Sequence, residues 1–269
     1  MKYAILTATD IRHRYFVNAL RRARPPAAVC YQETGYHPAE TAPAKPDAHV
    51  AAVLKAHFDE RTRQEEVFFG HDAERISDSP ACRVRTLDVN TLSSRETVDF
   101  LHDQGVDAIV IYGTSLIKSP LLGAFEGRTI NMHLGLSPYY RGTATNFYPL
   151  LNDEPEYVGV TIHHISAGID SGDIIHQGRP DIAADDMPHT VGCKTILVGI
   201  ELMVRTLSEL EAGNLRSVPQ WPVANPRLYL RKDYHPEQVV QLYRMIEDGL
   251  FAKYAARKER VAPLVKLVP

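Results

Sequence analysis

What most restricts the fold of this chain is the spacing of its short apolar runs. Residues 3–7 (YAILT), 27–31 and 107–112 (DAIVIY) are five or six residues long, too short for buried helices, and polar or Pro-containing stretches bound them. Helical signals lie between them: Asp10 as a cap for a helix through about Arg22, and a helical pattern over 95–104. Further strands are expected at 83–89 and at 129–134 (TINMHL). Strands separated by helices must pair in parallel, because a crossover returns the chain to the same edge. The fold expected is therefore an α/β sheet, mostly parallel with flanking helices, and its ligand chemistry belongs at the carboxyl ends of the strands.

Two departures from strict alternation stand out. Residues 33–47 read as loop by their prolines, and Val50, Val53, Leu54, His57 and Phe58 then recur at helical spacing, which gives a helical insertion over about 33–80. From 157, EYVGVTIHHIS and DIIHQGRPDI read as two strands close in sequence, so an antiparallel portion is expected at one side of the sheet. A long helix follows over 190–211, then a Pro-rich passage and a helix over 236–253. The division expected is a catalytic domain over 1–210 and a short C-terminal extension over 211–269.

Composition excludes several classes. A net charge of -3 provides no basic excess for a polyanion, so a nucleic-acid partner is not expected. Three widely spaced cysteines form neither a disulfide framework nor a zinc knuckle. No run approaches 18 apolar residues and the first residues do not read as a leader, so the expectation is a cytoplasmic protein without a membrane span. A homo-oligomer is compatible with this composition.

Chemistry concentrates in INMHLGLSPYYRG, residues 130–142. On a strand Asn131 and His133 project to one face, Met132 and Leu134 to the other. An amide and an imidazole side by side either find local backbone partners or form a donor pair suited to an oxyanion. In SAGIDSGD, residues 166–173, Gly168 and Gly172 permit a tight loop presenting Asp170, which is either a turn residue or a carboxylate that orients an imidazole and holds it protonated. His163 and His164 point to opposite strand faces and cannot chelate one ion together, so no metal is expected. One of the two is expected to line a substrate pocket. Arg12, His13 and Arg14, near a helix start, form a solvated face or an anion site.

The run NMHLGLSPYYRG followed by GVTIHHISAGIDSGDII resembles the folate-dependent formyltransferase family, which includes methionyl-tRNA, glycinamide ribonucleotide and amino-sugar N-formyltransferases. The resemblance spans roughly residues 1–200 and is strongest over 107–175. It implies a formyltransferase-like Rossmann core, 10-formyltetrahydrofolate as cofactor, and a small-molecule amine as the partner substrate. It implies Asn131, His133 and Asp170 as catalytic residues. Tyr112, Gly113, Leu116 and Ile117 in YGTSLI, with Ser137, Arg141, Gly168 and Ile169, are implied as cofactor-binding. Leu116 and Ile117 are alternatively ordinary core.

Three features depart from the family's familiar members. The first strand leads into TATDIRHRY in place of the phosphate-binding Gly-Ser-Asn turn of glycinamide ribonucleotide formyltransferase. About 90 residues follow Asp173, beginning with a helix, where methionyl-tRNA formyltransferase has a barrel domain. The sequence also reads LSP where many relatives read LLP. The reading favoured is N-formylation of a small amine, most plausibly a nucleotide-linked amino sugar or a specialised metabolite. The alternatives are hydrolysis of formyl-folate, a methionyl-tRNA formyltransferase-like enzyme, and a non-catalytic folate-binding relative.

Overall fold

A computed structural model describes residues 1–33 and 46–269. Most of the proline-rich stretch expected as loop lies outside these residues. The strands are β1 (Tyr3–Thr7), β2 (Ala28–Gln32), β3 (Arg83–Leu87), β4 (Ala108–Tyr112), β5 (Thr129–His133), β6 (Tyr140–Gly142), β7 (Val160–His164), β8 (Ile174–Gly178) and β9 (Arg227–Tyr229). The helices are α1 (Ile11–Ala23), α2 (Ala48–Phe69), α3 (Arg95–Asp103), α4 (Leu121–Ala124), α5 (Tyr148–Leu151), α6 (Pro188–Glu211), α7 (Pro236–Glu247) and α8 (Leu250–Val261). None of the described helices is long and apolar enough to cross a membrane.

Seven strands form one sheet in the order β3-β2-β1-β4-β5-β7-β8. The first five are parallel, while β7 runs antiparallel to both β5 and β8, as the alternation and the two adjacent strand signals require. The order reverses between β1 and β4, where helices cover opposite faces. On one face Ile5, Val110, Ile130, Met132 and Ile162 pack with Phe16 and Leu20 of α1 and with Ile196 and Met203 of α6. On the other, Leu6, Ile109 and Ile111 pack with Val98 and Leu101 of α3 and Leu121 of α4. Buried on both faces, β1, β2 and β4 read as continuous apolar runs rather than as alternating ones.

Local chemistry sets the helix ends. Asp47 accepts a hydrogen bond from the Val50 N–H at 2.9 Å and Ser94 one from Thr97 at 3.2 Å, capping α2 and α3. Asp10 precedes α1 as expected but makes no such bond, because its carboxylate is taken by Arg12. The single helix expected over 236–253 is two helices. Gly249 takes a left-handed φ of 87° between them and turns the chain.

Beyond α6 the chain returns to the centre of the molecule. β9 pairs in parallel with β6, and Tyr229 stacks on Tyr148 with ring centroids 3.5 Å apart. Arg227 is bonded to both Glu154 and the Tyr140 hydroxyl. The β7–β8 connection is equally constrained: a Cβ on Gly172 would lie 1.8 Å from the His164 carbonyl oxygen, a backbone atom that cannot swing away. Gly172→Ala is expected to lower stability by roughly 2 kcal/mol or more, measured by urea unfolding. A change under half of that would show that the turn relaxes without it.

Candidate active site

β5 ends at the carboxyl edge of the sheet with Asn131 and His133 on one face, as strand alternation dictates. Antiparallel pairing sets Asn131 opposite His163 and His133 opposite Thr161. Because β7 runs down from that edge, it leaves the sheet level with Ile130. The following loop must therefore fold back across the face to reach His133. It does so with Asp170 in the left-handed region, φ 45°, a conformation Asp tolerates better than most residues. Gly168 and Gly172, expected to permit the tight loop, are not in the left-handed region; Gly172 serves the loop by its close approach to the His164 carbonyl.

The Asp170 carboxylate joins three segments. Oδ2 accepts from the Gly142 N–H at 2.9 Å and faces His133 Nδ1 at 3.4 Å, while Oδ1 lies 3.6 Å from His163 Nε2. Its backbone is held as firmly: the Asp170 carbonyl accepts from Gln220 Nε2 at 2.7 Å and from Ser137 Oγ at 3.3 Å. On the other side of the His133 ring, Nε2 faces the Tyr140 carbonyl at 3.3 Å and the Thr145 hydroxyl at 3.4 Å. Thr145 donates its own proton to the Leu134 carbonyl at 2.5 Å, which leaves its oxygen free to accept from His133.

His163 completes the group. Its Nδ1 faces the His164 carbonyl at 2.8 Å and can only donate there, so in the neutral ring Nε2 carries the lone pair. That lone pair accepts from Asn131 Nδ2 at 3.2 Å and fixes which way the amide points. Strand alternation narrowed the choice to one of two adjacent histidines; pairing with β5 selects His163, whereas His164 faces away.

The electrostatics differ from the sequence expectation of a protonated imidazole. Burial lowers the His133 pKa below the usual imidazole value; Asp170 opposes this, and His163 adds to it. Burial disfavours charge on Asp170 too, but His133, His163 and the Gly142 N–H outweigh it and hold the carboxyl well below the usual range. The resting pair at neutral pH is an ionised carboxylate beside a neutral imidazole.

The sequence profile of the family described as Formyl transferase matches residues 19–207. The chain belongs to that family. It is 38% identical over 144 residues to methionyl-tRNA formyltransferase of Heliobacterium modesticaldum, covering 53% of this chain and 42% of that protein. It is 38% identical over 112 residues to a methionyl-tRNA formyltransferase of Listeria monocytogenes, covering 42% and 34%. The chain thus matches less than half the length of these curated relatives. Among solved structures it is similar to phosphoribosylglycinamide formyltransferase from Anaplasma phagocytophilum (TM-score 0.57, 12% identity, 85% of this chain and 97% of that one). It is also similar to a sugar N-formyltransferase from a Shewanella species (TM-score 0.56, 17% identity, 87% and 78%). At these identities the likeness is one of fold.

In this member of the formyl transferase family the loops flanking Asn131 divide into core and cleft. The Tyr112 ring is buried, 4.4 Å from His13 and 5.2 Å from Phe16, so only its backbone is turned toward the loop. Gly113 has φ 69°, and a Cβ there would strike the His13 imidazole. Gln32 anchors the loop by accepting from the Ser115 N–H and donating to its hydroxyl, both at 2.8 Å. Leu116 is 66% exposed, so it is not core; Ile117 packs at the edge of the α3–α4 cluster. Gly168 is exposed, Ile169 and Arg141 are half-buried, and the Arg141 Nε has no partner among the described residues.

Arg12 and His13 of the basic triplet after β1 form neither a solvated face nor an open anion site, while Arg14 is half-buried. Arg12 meets both Glu65 oxygens, at 3.0 and 2.9 Å, and Asp10 at 2.8 Å. His13 is buried, with Nδ1 3.0 Å from the Thr7 hydroxyl, which donates to the Tyr112 carbonyl at 2.7 Å. The partner that neutralises Arg12 comes from α2, 53 residues away, which no local pattern reveals.

The depressed His133 makes stability depend on pH with a definite sign. Below about pH 6.5 the unfolded chain binds a proton at residue 133 that the folded chain refuses, so stability falls with pH until the lower folded value is reached. Asp170 acts in a separate window, because its contribution is complete above about pH 4 and is lost only below it. Urea unfolding at pH 7 and pH 5 is expected to show a smaller loss for His133→Gln than for the wild type. Equal losses would contradict the depression.

Proposed function

We propose that this protein transfers a formyl group from 10-formyltetrahydrofolate to the amine of a small molecule, with a nucleotide-linked amino sugar or a specialised metabolite as the acceptor class. The observation that carries this reading is the Asp170 carboxylate held by the Gly142 N–H and lying within 3.6 Å of both His133 and His163, beside Asn131, in a chain of the formyl transferase family. The surrounding residues fit a folate: Leu116 offers an exposed aliphatic surface, Gly113 and Gly168 are exposed, and Arg141 Nε lacks a partner among the described residues. Ile169 beside Asp170 is half-buried, whereas Ser137 is fully buried and acts on that loop through its hydroxyl bond to the Asp170 carbonyl.

When bound, that group supplies a formyl carbon open to attack by an amine. Asn131 Nδ2 and His133 donate to the formyl oxygen as negative charge develops on it, each donor being worth on the order of 3 kcal/mol. His133 starts neutral, so an anion arriving beside it, with Asp170 behind it, raises its basicity at the moment a proton is wanted. His163 holds the Asn131 amide in the donating orientation. Asp170 and His133 together take the proton released by the attacking amine and return it to the departing nitrogen, so no net proton is gained or lost.

A second reading is supported by the curated relatives, which are methionyl-tRNA formyltransferases. The net charge of -3 speaks against an RNA acceptor, and the same assay separates the two. Release of tetrahydrofolate is to be followed with pools of nucleotide amino sugars, amino acids and methionyl-tRNA, with mass spectrometry of each pool. Asn131→Ala and His133→Ala are each expected to lower kcat by roughly 10²–10³ with folate affinity unchanged. Unaltered turnover in both variants would sink the assignment.

A further inference from the structure

A cavity of ≈ 300 Å³ lies against the loop that carries Gly142. One wall is Ala144, Asn146 and Phe147, the stretch around Thr145, whose hydroxyl faces His133. The facing wall belongs to the helical insertion, through His57, Phe58 and Arg61 of α2. Leu230, just after β9, and His189, at the start of α6, close the sides. Its volume sits at the lower end of the range for small-molecule sites, ~300–1,000 Å³. That is room for one ring and its substituent rather than for a whole nucleotide-linked sugar.

Two buried nitrogens at this cavity lack partners among the described residues. Asn146 Oδ1 accepts from the Gly159 N–H at 2.9 Å, but its Nδ2 is buried with no hydrogen-bond partner among the described residues. His189 is only 8% exposed, and its Nε2 is likewise buried and unpartnered there. Arg61 spends Nε on Glu65 at 3.0 Å, a carboxylate that Arg12 already engages through both oxygens. The two terminal nitrogens of Arg61 have no acceptor among the described residues, and its guanidinium carbon lies 5.8 Å from the Phe58 ring centroid. No carboxylate lines the cavity among those residues. A buried amide donor without an acceptor, a buried imidazole nitrogen without a partner and a guanidinium end without an acceptor, set around a mostly apolar space, are what a ligand pocket presents before its ligand arrives.

The charge in this pocket belongs to Arg61. His57 and His189 pack with ring centroids 4.2 Å apart. Burial lowers His57 to about 3 and His189 to about 4, with Arg61 adding to both, so near neutral pH the pair is an uncharged aromatic wall.

We infer that this cavity binds the body of the acceptor amine, an aromatic ring bearing an anionic group, with Arg61 reading the anion and α2 supplying specificity. The assignment to the acceptor rests on the formyl-transfer reading; the preference for an anionic ring does not. A planar guanidinium whose two terminal nitrogens form one free bidentate edge suits a carboxylate or a phosphate. The aromatic walls and the Asn146 amide suit the ring.

Binding to the full chain is tested directly by ligand-observed NMR titration with phenyl phosphate, benzoate and neutral phenol. One or both anions are expected to bind saturably and about tenfold tighter than phenol, the stronger one naming the anion. Arg61→Met, which leaves Glu65 paired with Arg12, and Leu230→Trp, which fills the space, are each expected to weaken the anion by about tenfold. Asn131→Ala is expected to bind as the wild type does. No saturable anion binding up to ~10 mM, equal binding of phenol, or indifference to both Arg61→Met and Leu230→Trp overturns the inference. Anion binding without any folate turnover would leave the pocket standing and remove the formyl-transfer reading. Turnover of an acceptor whose KM Arg61→Met leaves unchanged would detach the pocket from the acceptor.

Discussion

The pairing of β5 with β7 is the constraint on which the site depends. An antiparallel strand beside the last parallel one reverses direction, so it brings His163 opposite Asn131 and sends its exit to the far end of β5. The chain must then climb back over the face, and Asp170 is carried to His133 on that return. A register slip of one residue would turn His163 away and place His164 in the site, because side chains alternate with period two. The apolar partners Met132 and Ile162, buried against α6, hold the register from the opposite face. Core packing on one side thus sets hydrogen-bond geometry on the other.

The parts of the chain outside the parallel core act on the same place. β9 and Gln220 come from the stretch after α6, yet they pin the loop that supplies the Gly142 N–H and the carbonyl of Asp170. α2 pairs Glu65 with Arg12 at the switch point between β1 and β4. The crevice used for phosphate in many doubly wound sheets is closed here by a side chain, with His13 beneath Gly113 and its hydroxyl partner Thr7 beside it. Anion recognition has a different location available, at Arg61 on the other side of Glu65.

Burial explains the electrical state of the site. A neutral imidazole beside an ionised carboxylate is the arrangement that costs least in a buried site, since only one charge has to be supported and the Gly142 N–H donates to it. It also leaves a proton acceptor whose basicity rises when a second anion forms nearby.

Much of this was legible in the residues. Alternating apolar runs specify an α/β sheet because strand and helix periods are local properties of the chain, and the pair Asn131 and His133 follows from the two-residue strand repeat. The resemblance singled out Asp170, and the family profile agrees with that resemblance. Other features are properties of contact between distant segments. The left-handed turn at Asp170, rather than at either glycine, follows from the path back across the sheet. The break at Gly249 depends on how α7 and α8 pack. The choice of His163 over His164 is made by a partner 32 residues away, and the neutralisation of Arg12 by one 53 residues away. Local sequence sets which face a side chain can take, because backbone sterics act over a few residues. Which neighbour waits on that face, and so which proton is held and which charge is paired, is decided only when the chain closes on itself, because hydrogen bonds and burial act through space.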